Sequence, residues 1–369
     1  MDNKSKLNIH LIIGTRPNYI KAAPVYEALS QSNDYQLDLV HTGQHFDKNM
    51  KDHFFRDLSL CKPSVNLNAK GSTHALQTAM IMKKYDEYLK MKKPDLIIVF
   101  GDVNSTLACS IVASKMNIPI AHVESGLRSF DRKMPEEINR VLTDQLSELL
   151  FTTSPEAKVN LIKEGKSKNQ IHFVGNTMID TLLRLNNKFD DSEILYRLNI
   201  LEPFVLMTFH RPSNVDDPRN LKALINSIRK LSKEFDCIFP IHPRTKKILN
   251  EISMYNDLMN DNKIRLLDPL GYIDFMSLQK KSSVVITDSG GIQEESSYFG
   301  VPCLTVRDST ERPITITKGS NKLIGNSYGN IVQEAKKSIK IKRKKNSIQD
   351  LWDGKASERI AGIINRKYL

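Results

Sequence analysis

The chain has 369 residues, 40% of them hydrophobic, which is enough for two ordinary cores and long for one. It has no apolar run of 18 residues, so a membrane-spanning helix is excluded, and the start, Met1-Asp2-Asn3-Lys4-Ser5-Lys6, shows no secretion signal, so a cytoplasmic protein is expected. The net charge of +12 is spread along the chain apart from a Lys-rich run at 340–345 that reads as a solvated face. Nucleic acid is therefore not expected as a partner, while a mild positive field suits a substrate carrying a pyrophosphate.

Short apolar, β-branched runs alternate with helical patterns from end to end. Strands are expected at 9–13, 37–41, 96–100, 119–123, 149–152 and 171–174, with helical patterns at 20–30, 76–91 and 136–147 among them. A mostly polar, helical stretch at 176–202, with Asp190-Asp191-Ser192 at its middle, reads as a linker. A second strand series follows at 205–209, 237–241, 264–267, 284–287, 303–306 and 322–324, with a helical pattern at 220–233. Strands alternating with helices predict parallel, doubly wound sheets, here two α/β domains of similar size with a cleft between them. The four cysteines, Cys61, Cys109, Cys237 and Cys303, form no C-x-x-C pair and are expected as buried thiols in a reducing compartment.

In open α/β sheets, ligands bind just beyond the carboxyl ends of the strands. The first strand runs into Gly14-Thr15-Arg16-Pro17, where Arg16 and Lys21 place two cations at a helix start, a natural phosphate site. The strand ending at Phe100 leads to Gly101-Asp102, and that ending at Val123 leads to Glu124. An acid directly at a strand end is aimed into the crevice, which marks Asp102 and Glu124 as functional. Glu136 and Glu137 follow Met134-Pro135, a position that helix-start preferences favour without any catalytic role. In the second half, strand ends give His210-Arg211-Pro212-Ser213 and Asp288-Ser289-Gly290-Gly291. The glycine pair leaves backbone N–H groups open to a phosphate. Glu294 and Glu295 then stand at the helix start, where the dipole favours them in any case, and one of them is also suited to accept from ribose hydroxyls. Neither G-x-G-x-x-G nor G-x-x-x-x-G-K-[ST] occurs, which disfavours a bound nicotinamide or a P-loop. No H-x-x-x-H helix occurs either, and His41 and His45 flank a glycine loop, so no metal is expected.

In chain order, GTRPNYIK (14–21), HTGQHFDKNM (41–50), GDVNST (101–106), HVESGLRS (122–129), MPEEINRVLTD (134–144), VGNTMIDTL (174–182), TFHRPSN (208–214), TDSGGIQEE (287–295), RDSTERP (307–313) and WDGKASERI (352–360) resemble the motifs of the non-hydrolysing UDP-N-acetylglucosamine 2-epimerases. The resemblance covers nearly the whole chain. It implies a GT-B-like fold of two Rossmann-type domains, 1–177 and 178–354, with a C-terminal helix at 355–369 returning to the first. It implies an isomerase that is usually a homodimer and needs no cofactor. It further implies a reaction in which UDP is eliminated across C1–C2 to leave 2-acetamidoglucal and is then added back with the C2 proton on the other face, interconverting UDP-N-acetylglucosamine and UDP-N-acetylmannosamine for surface polysaccharides.

By the same resemblance, Asp102, Glu124 and Glu136 do acid–base work and His210 assists near the diphosphate. Arg16, Lys21, Arg140, Ser289, Gly290 and Gly291 bind substrate and its phosphates, Glu295 the ribose and Phe275 the uracil, with Arg312 nearby. The sequence departs from the family's common forms at Asn18-Tyr19, where many relatives have Glu-Ala, and at Pro212-Ser213. Around Gly71-Ser72-Thr73-His74 it differs from relatives that use a second substrate molecule as an allosteric activator. Its HTGQHFD and GSTH forms resemble a branch that includes epimerases of UDP-2,3-diacetamido-2,3-dideoxy-glucuronate. A hydrolysing epimerase and a GT-B glycosyltransferase are the other enzyme classes compatible with this layout.

Overall fold

The computed structural model describes residues 6–44, 56–58, 60–341, 343 and 351–369. His45 and three lysines of the basic run, Lys342, Lys344 and Lys345, lie outside the described residues. The chain divides into two compact units, Met1–Arg184 with Asp350–Leu369, and Leu185–Gln349.

The first unit is built on seven parallel strands: β1 (Leu7–Ile13), β2 (Tyr35–His41), β3 (Val65–Asn66), β4 (Leu96–Phe100), β5 (Ile120–Ser125), β6 (Leu149–Thr152) and β7 (Ile171–Phe173). Their order is β3-β2-β1-β4-β5-β6-β7. β4 reads Leu-Ile-Ile-Val-Phe and every residue of it is fully buried, as expected for a parallel strand covered by helices on both faces. Ile12, Val40, Ile97 and Val99 pack under Ile81, Tyr85 and Leu89 of the helix His74–Met91 on one of those faces. β3 has only two residues and no recognisable run in the sequence, so pattern reading passes over it.

The second unit repeats the plan with β8 (Phe204–Thr208), β9 (Asp236–Pro240), β10 (Ile264–Leu267), β11 (Val284–Thr287), β12 (Cys303–Thr305) and β13 (Asn321–Leu323), ordered β10-β9-β8-β11-β12-β13. All its pairings are parallel. The helix Pro218–Ser232 shows how the sequence builds a layer. Asp217 accepts a hydrogen bond from the Arg219 N–H, Pro218 opens the helix, and Leu221, Leu224, Ile225, Ile228 and Leu231 recur on one buried face. That face meets Val205, Phe239 and Ile286 of the sheet.

In both sheets the strand order reverses beside the first strand, between β1 and β4 and between β8 and β11. This topological switch point opens a crevice outside the carboxyl ends of the strands.

The stretch 176–202 is more than the solvated linker its composition suggests. In the first unit, the helix Thr177–Arg184 packs against the helix Arg16–Ser30, burying Met178, Ile179 and Leu182. In the second unit, Phe189 and Ile194 are buried, and the Phe189 ring meets Tyr272 edge-on. Its apolar residues fall at helical spacing between charged ones, which hides them in an average. The cysteine expectation also needs one correction. Cys109, Cys237 and Cys303 are buried, but Cys61 is exposed.

The terminal helix Ala356–Tyr368 is fastened to the first unit. Asp180 accepts from the Ala356 and Ser357 N–H groups at 3.1 and 2.7 Å, capping its first turn, and the Trp352 indole donates to the Thr153 carbonyl at 2.8 Å.

His10 in the middle of β1 has no exposed surface, and burial pushes its pKa down to about 4 against the pull of Asp38. The unfolded chain takes up this proton near pH 6.5, whereas the fold keeps the ring neutral. Stability from this group is full above about pH 6.5 and is lost as pH falls towards 4, by roughly 3 kcal/mol in all. Melting curves of wild type and His10→Gln across that window should show a shallower acid decline for the variant; equal slopes would remove His10 as the cause.

Candidate active site

Three turns gather at the switch point of the first unit. After β1, Asn18 holds the turn: its Oδ1 accepts from the Gly14 and Thr15 N–H groups, each at 3.1 Å, and its Nδ2 donates to the Phe100 carbonyl at 2.8 Å. This bridges the ends of β1 and β4. It also means that the Gly14 and Thr15 amides are committed to a side chain, while Arg16 stands half-buried at the first helical position. Lys21 sits a turn further in and is buried at 4% exposure, its Nζ 2.6 Å from Glu124 Oε1. The structure thus joins two residues that the sequence places 103 positions apart.

Glu124 owes its aim to a local irregularity. The register between β5 and β6 shifts between Val123 and Ser125, and Glu124 lies in the left-handed region at φ 74°. A bulge at a strand end redirects a side chain, and a non-glycine residue at positive φ persists only where its surroundings impose it, a strain that clusters at functional sites. Gly101, at φ 60°, makes the neighbouring turn. A Cβ there would lie 2.8 Å from Lys21 Nζ and 3.5 Å from Glu124 Oε1, so glycine leaves room for the pair.

Asp102, half-buried, receives one Nη of Arg140, whose other Nη meets Glu137 Oε2 at 2.5 Å. Arg140 is itself buried, so its guanidinium is placed to orient Asp102. The two adjacent acids of the helix Pro135–Leu146 separate here. Glu137 is buried and fastens the preceding loop through the Ser129 N–H, the Ser129 hydroxyl and the Phe130 N–H. Glu136 is half-buried in the first turn of that helix.

In the second unit, His210 follows β8 and Asp288 follows β11. Asp288 is fully buried and accepts from the His210 and Arg211 backbone N–H groups and from Asn214 Nδ2, each at 2.9–3.0 Å through Oδ2. His210 Nδ1 stands 3.0 Å from Asp288 Oδ1. A carboxylate only accepts, so Nδ1 carries the proton of this contact and Nε2 is the nitrogen left for chemistry. Burial alone would raise the Asp288 pKa, but His210 beside it and these donors hold the carboxyl below its ordinary value. The strand-end rule that marks Asp102 and Glu124 applies equally to Asp288, yet sequence reading passed over it. Asp288→Asn would turn an amide N–H towards existing donors. It should lower kcat at least about 10-fold, as losing the group that fixes a catalytic histidine does, and lower the melting temperature; wild-type kcat would show that the contact is idle.

Ser289 stands at the N-cap position of the helix Gly290–Phe299 without a capping bond from its side chain, and Gly290 and Gly291 occupy the first turn, whose N–H groups a helix leaves unpaired within itself. A Cβ on Gly290 would stand 2.5 Å from both Arg312 Nη1 and Glu311 Oε1. Arg312 is buried, with Nε 2.9 Å from Glu294 Oε2 and Nη1 bonded to Glu311. Glu294 and Glu295 lie beyond the first turn, so the helix dipole does not account for them. Glu294 pairs with Arg312, and Glu295 Oε1 is 3.5 Å from the Tyr272 hydroxyl. Phe275 is buried on the helix Tyr272–Lys281 of the same unit. Among the described residues, no group of three or more His, Cys, Asp or Glu is arranged to hold a metal ion, and no helix is long and apolar enough to cross a membrane.

Comparison with known proteins identifies the family of the chain. The family model described as UDP-N-acetylglucosamine 2-epimerase matches residues 27–365. The chain belongs to this epimerase family. A UDP-N-acetylglucosamine 2-epimerase of Methanococcus maripaludis is 42% identical over 362 residues, 96% of this chain and 98% of the relative. The UDP-2,3-diacetamido-2,3-dideoxy-D-glucuronate 2-epimerase of Pseudomonas aeruginosa is 38% identical over 365 residues, 97% of this chain and 99% of its own. Among solved structures, the Methanocaldococcus jannaschii UDP-GlcNAc 2-epimerase in complex with UDP-GlcNAc and UDP superposes with a TM-score of 0.92 at 40% identity, covering 98% of this chain and all of that one. The epimerase is accordingly an isomerase with a GT-B-like fold of two Rossmann-type units.

Proposed function

We propose that this epimerase interconverts UDP-N-acetylglucosamine and UDP-N-acetylmannosamine by elimination and re-addition of UDP. The C2 proton of such a sugar is not adjacent to a carbonyl, so removing it directly is difficult. Elimination avoids a carbanion with nowhere to delocalise. A base takes the C2 proton while the C1–O bond to the diphosphate breaks, C1=C2 forms, and UDP then returns to C1 as an acid delivers a proton to the opposite face of C2. Such a cycle needs a carboxylate and a carboxylic acid near one carbon, with donors for the departing diphosphate.

The observation that carries this reading is Glu124, bulged out of β5 at positive φ and paired with Lys21 beside the turn that presents Asp102. Asp102, Glu124 and Glu136 are the acids we assign to proton transfer. His210, oriented by Asp288, and the amides after Ser289 are the donors we assign to the diphosphate, with Arg16 on the substrate. Glu295 and Phe275 are assigned to the nucleoside. Arg140, Lys21 and Arg312, each buried in an ion pair, act in this scheme by fixing the acids and the glycine turn. The chain is read as a cytoplasmic homodimer serving surface polysaccharide synthesis.

Incubation with UDP-N-acetylglucosamine in deuterated water should place deuterium at C2 and yield UDP-N-acetylmannosamine. No exchange at C2 would refute the reading. The 38% identical Pseudomonas aeruginosa relative motivates a second substrate in the same assay, the diacetamido-glucuronate; exchange with it alone would keep the reaction and change the sugar.

A further inference from the structure

Behind the acids lies a buried network that the scheme above does not use. His122, in β5 with no exposed surface, has Nδ1 2.6 Å from Asp144 Oδ1 and Nε2 2.8 Å from the Gly101 carbonyl. Asp144, also fully buried, accepts through Oδ2 from the Gly126 N–H at 3.0 Å and from Arg128 Nη2 at 2.7 Å. Arg128 reaches on to Glu164 with Nε at 2.7 Å and Nη2 at 2.6 Å. Gly101 immediately precedes Asp102, and Gly126 follows Glu124 by two residues. Both glycines and Glu124 lie at positive φ. The two turns that present the acids are therefore tied to one carboxylate–imidazole pair.

We propose that His122 and Asp144 are positioning residues for the epimerisation, holding the Gly101-Asp102 turn and the Glu124-Ser125-Gly126 turn in mutual register; the proposal rests on the assignment of Asp102 and Glu124 as the acids. A carbonyl and a carboxylate are both acceptors, so the ring satisfies its two contacts only by donating from both nitrogens. The charges then balance within the network, with His122 and Arg128 against Asp144 and Glu164. No other arrangement of protons lets the ring donate to Gly101 and Asp144 together. Reacting groups displaced by an ångström lose a large part of their rate, and a ring that donated to only one turn would release the other.

Two substitutions separate the contacts. A glutamine amide nitrogen falls near the position of histidine Nε2, and an asparagine nitrogen near that of Nδ1. Each variant keeps one contact and releases the other turn, so both should lose kcat on the order of 10-fold or more, with KM and UDP affinity changed less than about two-fold. Wild-type kcat in either variant would overturn the proposal, as would a parallel loss of UDP affinity. Nitrogen NMR of the histidine-labelled wild-type enzyme gives a readout that needs no variant. Both ring nitrogens of His122 should carry slowly exchanging protons, and a single protonated nitrogen would overturn the proposal. Asp102→Asn measured alongside keeps the two ideas apart. If it retains wild-type kcat, the assignment of the acids fails; if it loses kcat while His122→Asn does not, only the positioning role fails.

Discussion

Asp102→Asn should lower kcat on the order of 10²-fold or more while UDP binds as before, because a positioned acid or base contributes a factor of that size. The amide keeps the volume of the carboxyl and can still accept from Arg140, so the turn after β4 should stay in place. What it cannot do is take or give the C2 proton. The phosphate donors assigned here, Ser289 to Gly291, are carried by the other unit and should not register the change. Single-turnover kinetics with calorimetry of UDP binding would test this, and a parallel loss of UDP affinity would contradict the division of labour.

Glu124→Gln should affect stability as well as turnover. Lys21 and Glu124 are both nearly without solvent contact, and removing one charge of a buried pair leaves the other uncompensated, at about 3–5 kcal/mol. The double substitution Lys21→Met with Glu124→Gln should recover a large part of that loss, because no charge is then stranded, and it should recover none of the turnover. Thermal unfolding of the four proteins of this cycle gives the coupling. Additive losses would mean that the pair does not act as a unit, and recovered activity would remove Glu124 from the chemistry.

Much of the architecture was legible because the cause is local. A strand such as 96–100 is apolar throughout, and a helix such as 218–232 repeats its leucines and isoleucines at 3.6-residue spacing, so both announce themselves within a dozen residues. The strand-end rule then singled out Asp102, Glu124 and His210 with no knowledge of strand order. The same rule covers Asp288, which went unmarked although its carboxylate orients His210. Glu136 and Glu137 show the limit of the method. Side by side at a helix start, they are equivalent by helix-start preference, the motif resemblance singles out Glu136, and the loop that folds over Glu137 shows what the other one does. His122 gave no local signal, being one residue inside an apolar strand, and its partner Asp144 is a helix residue like many others.

The sequence by itself determined the two α/β units, the turns at their strand ends and, through its motifs, the kind of epimerase this is. Strand order, the bulge at Glu124 and the partners of each buried charge were decided by tertiary structure alone. Periodicity and turn chemistry act over a few residues, whereas a buried charge is tolerated only where a distant opposite charge meets it. Which residues meet, as Lys21 meets Glu124 and His122 meets Gly101, is set by how the sheet stacks its strands side by side.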